Sequence, residues 1–142
     1  MSTKENTALV LHLYQAFDNG DLDGFAGSIS SNFVAYVLGT TMLNWAGFKQ
    51  FGNAFRYAFP DGRHVFDHVI ADGENVMTVG TYQGTHTGDM QGIAPTNKHL
   101  KLAVMHLDRV VNGKIVEHRG LANEVNLMRQ LGIELVPKKG GI

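Results

Sequence analysis

The 142-residue chain contains no cysteine. That one absence excludes disulfides, thiolate zinc sites and a thiol nucleophile together. An excess of charge of one sign is missing too: twelve basic residues face thirteen acidic ones, a formal net charge of −1. No basic stripe is present to follow a nucleic acid, and the balance offers no electrostatic capture of a polyanion. No apolar run approaches membrane-spanning length, and the opening MSTKENTALV has no charged region ahead of an apolar one. The expectation is a soluble cytoplasmic protein with neither membrane nor nucleic acid as partner.

What is present is an ordinary globular composition, 44% hydrophobic and 18% charged. One domain over residues 1–142 is expected, long enough to bury roughly two thirds of its unfolded surface. Leu9, Leu13 and Phe17 recur at helical spacing, with Val10 and Tyr14 beside them, so Thr3 to Phe17 reads as an amphipathic helix stopped at Asn19-Gly20. Asp21 caps a short second helix that turns Leu22, Phe25, Ala26 and Ile29 inward. Phe33 to Leu38 reads as a strand. Asn44 caps a third helix that Pro60 ends, with Phe48, Phe55 and Phe59 as core. Arg63 to Ala71 and Val76 to Thr87 alternate as strands around Asp72-Gly73, and Gly88 to Asn97 is a loop. Helices beside a mostly antiparallel sheet make an α+β fold.

The stretch from Lys98 to Gly132 carries the most information. Two strands meet at Asn112-Gly113, a strong hairpin signal because a type I′ turn needs φ > 0 at both central residues. A two-residue loop pairs Val111 with Lys114, and strict alternation then sets His106 opposite Arg119 and Val104 opposite Leu121. On that register Leu102, Val104, His106, Asp108, Glu117, Arg119, Leu121 and Asn123 share one face. Ala103, Met105, Leu107, Val116, His118, Gly120 and Ala122 share the other. Apolar walls with a few placed polar groups describe a small-molecule pocket on the first face. The second face is too apolar to be left to water, which predicts a homodimer through the sheet. Asn123 to Leu131 reads as the last helix, ended at Gly132.

Each candidate has a plain alternative. His106 is the best proton acceptor on the mixed face, kept neutral by a neighbouring arginine, or else a bonded core histidine. Arg119 binds a substrate oxygen, or else pairs with Asp108. Asn123 hydrogen-bonds a ligand, caps the last helix, or does both. His86, in GTHTG at a strand end, belongs to the pocket rim or to the structure. Trp45 reaches the pocket mouth beside Tyr36, or joins the aromatic core. His64 and His68 lie about 13 Å apart if on a strand, too far to share one metal ion.

Five pieces in this order carry a resemblance: FPDGR at Phe59 to Arg63, GTHTG at Gly84 to Gly88, GIAPT at Gly92 to Thr96, NGKIVEH at Asn112 to His118, and RQLG at Arg129 to Gly132. Together they resemble the SnoaL-like polyketide cyclases of the NTF2-like superfamily. The resemblance implies a cone, a curved sheet wrapped over three N-terminal helices with a short C-terminal one, often paired through the sheet. It also implies ring closure by intramolecular aldol condensation, without cofactor or metal, on an apolar polyoxygenated molecule. The family's acid/base aspartate after its EH motif falls on Asn123 by motif alignment, and Arg119 stands where tryptophan is frequent. Two readings follow. In the first, the chain is an enzyme with His106 as base, Asn123 and Arg119 stabilising an enolate, and His86, Trp45, Tyr36, Leu121 and Val104 against the substrate. In the second, it is a small-molecule binder that has kept the pocket and lost the acid/base group. A purely structural dimer is a weaker third.

Overall fold

A computed structural model describes residues 2–138. Helix α1 (Thr3–Asn19) opens on a capping box, in which Ser2 accepts from the Glu5 N–H and Glu5 accepts from Ser2 N. Gly20, at φ +69°, closes it. Its buried face carries Val10, Leu13, Tyr14 and Phe17. Asp21 caps α2 (Leu22–Phe25), a 3₁₀ turn follows, and β1 (Ile29–Val37) begins. The short second helix therefore ends before Ile29, which is already strand, and Ala26 is exposed. A short edge strand, β2 (Thr41–Leu43), is an element the sequence pattern did not suggest. Asn44 caps α3 (Trp45–Ala58) by accepting from the Gly47 N–H, as its sequence position implies.

Strands β3 (Arg63–Asp72), β4 (Asn75–Thr85), β5 (His99–Val111) and β6 (Lys114–Ala122) complete the sheet, and α4 (Glu124–Gln130) follows. The six strands run in the order β2-β1-β6-β5-β4-β3. Every pairing is antiparallel except β1 with β6. The sheet is curved and unclosed, and α1, α2 and α3 pack inside it, giving the α+β cone. Among the described residues no helix is long and apolar enough to cross a membrane.

The hairpin turn forms as its sequence demands. Asn112 and Gly113 sit at φ +50° and +73°, and Val111 pairs with Lys114. Beyond Val110↔Ile115, however, the register shifts, and Arg109 pairs with Glu117. Val116 is the extra residue of a β-bulge. One slipped residue moves every later side chain of β6 to the other face. The expected pairs His106–Arg119 and Val104–Leu121 are thus corrected to His106↔Gly120 and Met105↔Leu121, with His118 opposite Asp108. The physical reason is visible in the strand itself. Ile115 is fully buried, and strict alternation would bury Glu117 and Arg119 behind it. The bulge keeps Ile115 inside while returning both charges to the outer face, which avoids desolvating them.

Candidate active site

The concave side of the sheet, closed by α1 and α3, encloses a cavity of about 80 Å³ that opens to solvent. Its walls are apolar: Phe17, Phe51, Phe55, Leu102, Val104 and Leu127. Its polar atoms come from His64, His106, His118 and Tyr82, with Glu124 at the start of α4. Among the described residues no lysine or arginine lines it.

Asp108 anchors the site. It is fully buried on β5, where a lone carboxylate would carry a heavy desolvation cost, and both its oxygens are occupied. Oδ1 accepts from His118 Nδ1 at 2.7 Å, and Oδ2 accepts from the Tyr14 hydroxyl at 2.5 Å. Burial, and then the charge of Asp108, push the Tyr14 phenol well above its ordinary range, so it remains a donor. With Nδ1 facing Asp108, Nε2 is the ring nitrogen of His118 left for the cavity. A Cβ placed on Gly120 would lie 3.3 Å from that Nε2 and 3.9 Å from Nε2 of His106. Both imidazoles therefore turn their Nε2 atoms toward the same bare stretch of β6.

His106 is buried between Tyr14, whose ring centroid is 4.7 Å away, and His118 at 5.6 Å. Its Nδ1 lies 3.1 Å from Thr78 Oγ1. Burial, then the nearby His118 and His64, hold it well below the ordinary histidine range, so it is a neutral imidazole. The arginine expected to keep it neutral plays no part. Arg119 is on the outer face, with its Nε 2.9 Å from Glu117 and its guanidinium 4.2 Å over the Tyr36 ring. Tyr36 is paired with Arg119 across β1 and β6 and is outside the cavity lining.

The other sequence candidates divide. Val104 lines the cavity; Leu121, turned by the bulge to the outer face opposite Met105 and largely exposed, borders only its mouth near Gly39. Asn123 is exposed and caps α4 by accepting from the Asn126 N–H at 2.9 Å; it is not part of the lining. Trp45 packs on Phe33 and Phe48 in the aromatic core. His86 is fully buried against Phe59, and its Nδ1 accepts from the Thr96 N–H, which pins the 88–97 loop. Neither lines the cavity.

Sequence reasoning missed His118, Tyr14 and the pair formed by Asp18 and His64. A signal for His118 existed: Ile115 and Glu117 cannot share a buried face cheaply, and that conflict marks a bulge. For Tyr14 and Asp18 the signal is their i, i+4 spacing on the inner side of α1.

Residues 8–131 match the SnoaL-like polyketide cyclase family. Aklanonic acid methyl ester cyclase DnrD of Streptomyces peucetius is 26% identical over 128 residues, covering 87% of this chain and 88% of the relative. Among solved structures, AclR of Streptomyces galilaeus, a suggested hydroxylase, superposes with a TM-score of 0.83 at 29% identity, over 96% of this chain and 91% of that one. IdmH of Streptomyces antibioticus, a suggested polyketide cyclase, gives 0.80 at 26% identity, over 90% and 99%. The family match spans all four helices and the whole sheet but the first turn of α1, and the cone and its cavity agree with it: this chain belongs to the SnoaL-like polyketide cyclases.

Proposed function

We propose that the chain closes a ring on a polyketide precursor by intramolecular aldol addition, with His118 as the base. The observation that carries this reading is the buried Asp108–His118 pair, 2.7 Å apart, on the wall of an apolar cavity. Asp108 fixes the tautomer and offsets the charge that His118 acquires when it takes a proton. Proton abstraction next to a carbonyl places negative charge on oxygen. His106, uncharged, can meet that oxygen as a hydrogen-bond donor through Nε2 when Nδ1 accepts from Thr78. A preorganised donor in a site shielded from water is worth several kcal/mol at such a step.

The lining also speaks to the substrate. Among the described residues no lysine or arginine offers the cavity a fixed positive charge for a free carboxylate, so an uncharged ester or ketone is the better fit. Asn123 makes its capping bond outside the lining, so on this reading the acid/base work falls to His118 and not to that position. The outer face supports a homodimer: Val79, Met105 and Leu121 lie side by side across β4, β5 and β6, and Met77 and Leu107 continue the patch. The test is turnover of aklanonic acid methyl ester. Wild type should convert it, and His118→Gln should lower kcat by about 10²–10⁴-fold. A His118→Gln protein that turns over like wild type would refute the assignment.

A further inference from the structure

Ring closure moves two protons, one off a carbon and one onto an oxygen, and the Asp108–His118 pair accounts for the first. A second carboxylate–imidazole pair stands on the opposite wall. Asp18, in the last turn of α1, accepts from His64 Nδ1 at 2.7 Å through Oδ1 and from the His64 backbone N–H at 2.7 Å through Oδ2. Arg56 of α3 donates to the Asp18 carbonyl and holds that turn in place. The His64 ring is boxed by Phe17, Phe66 and Tyr82 at centroid distances of 5.3, 5.6 and 5.0 Å. It lines the cavity, and among the described residues its Nε2 has no hydrogen-bond partner. His106 lies between the two pairs, 5.5 Å from the His64 ring and 5.6 Å from His118.

We propose that His64, positioned by Asp18, is a further catalytic residue of the cavity and delivers the proton to the acceptor oxygen as the ring closes. The inference rests on the aldol reading above. His118 Nε2 takes the proton from the carbon beside one carbonyl, and the C–H electron pair becomes the enolate. The enolate carbon forms the new C–C bond to the second carbonyl carbon, whose π pair passes to its oxygen. That oxygen takes the Nε2 proton of the His64 imidazolium. His118 ends protonated and His64 neutral, and exchange with water restores both, so no co-reactant is consumed. Two features favour this over a purely structural tie. The backbone N–H of His64 already joins β3 to Asp18, so a tie has no need of the imidazole. The ring bond, by contrast, gives a His64 imidazolium its anionic partner and leaves Nε2–H on the cavity side. Placing donor and acceptor groups on opposite sides of His106 also suits a reaction whose two proton transfers occur on opposite sides of the bond being made.

The experiment separates the two half-reactions. His64→Asn keeps an N–H able to face Asp18 and removes the imidazole. In D₂O with aklanonic acid methyl ester, deuterium uptake at carbon and ring closure are followed together by mass spectrometry. His64→Asn should take up deuterium at the wild-type rate while kcat for closure falls at least about a hundredfold. His118→Gln should lose both. A folded His64→Asn protein, with its melting temperature preserved, that closes the ring at the wild-type rate overturns the inference. Should wild type neither exchange nor close this ester, the aldol reading fails for that substrate, and the role of His64 is decided by ¹⁵N NMR of the imidazoles during titration with 1-naphthol. Movement of the His64 and His118 resonances together supports a shared oxygen site; His118 moving alone, or neither moving, overturns it.

Discussion

The two faces of the β5–β6 hairpin are built from neighbouring residues and obey opposite rules. On the concave face, Asp108, His118, His106 and Thr78 are buried and bonded to one another or to Tyr14. On the convex face, Met105 and Leu107 are 46% and 37% exposed, and Arg119 and Glu117 pair in solvent. A buried polar cluster thus sits among the apolar residues of the inner face, while Met105 and Leu107 stand partly exposed among the charges of the outer one. A buried polar network contributes little net stability for its size, yet losing one member strands the others. The inner face therefore holds its polar groups at a cost, and the outer face leaves Met105 and Leu107 partly exposed.

Breaking the inner face at its anchor should have the largest effect. Asp108→Ala leaves the Tyr14 hydroxyl and His118 Nδ1 without their shared acceptor, and should cost about 3–5 kcal/mol in chemical denaturation. A loss under about 1 kcal/mol, the range of an exposed pair, would erase the contrast.

The pH dependence of stability sharpens it further. Burial, then His118 and His64, depress His106 in the folded chain. The unfolded chain takes up a proton on this residue as pH falls through about 6.5 while the folded chain does not. The share of stability due to neutral His106 is complete above that pH. It is lost as pH drops toward the depressed folded value, by up to about 1.4 kcal/mol per pH unit. His106→Gln should flatten this part of the profile, measured as melting temperature between pH 7 and 5. An unchanged slope would count against a neutral buried imidazole.

The outer face should respond to charge by losing its partner. Met105→Glu introduces carboxylates facing each other across a two-fold contact and should weaken self-association about tenfold or more, followed by sedimentation equilibrium. Wild type that sediments as a monomer at micromolar concentration removes the proposed dimer. Arg119→Ala should do least: its pair with Glu117 is exposed, so stability should change by about 0.2–1 kcal/mol and turnover hardly at all. A turnover loss of a hundredfold would bring Arg119 back to the site.

How much of this was legible follows from where the signals are local. Helix α1 declared itself through Leu9, Leu13 and Phe17, α3 through the Asn44 cap and Pro60, and the hairpin through Asn112-Gly113. Asn123 was correctly weighed as a cap because capping depends on residues three positions apart. The family pieces in their order implied the cone, which periodicity alone did not. Of the site, His106 and Val104 were reached from the turn by counting along β5, whereas Leu121, counted onto the same face, was turned to the outer one. Counting failed at Val116, because whether a strand bulges depends on the cost of burying Glu117 and Arg119 under α1 and α3, packing that lies far away in sequence.

The sequence by itself determined the main helices, their caps, the hairpin turn and the alternation of β5, since each rests on contacts within a few residues. Only the tertiary structure decided that His118 faces inward to Asp108 and that Tyr14, 94 residues from Asp108, supplies the third member. It also brought Asp18 to His64 across 46 residues. A buried carboxylate is tolerable only where several chain segments deliver donors to it at once, and no local pattern records that meeting.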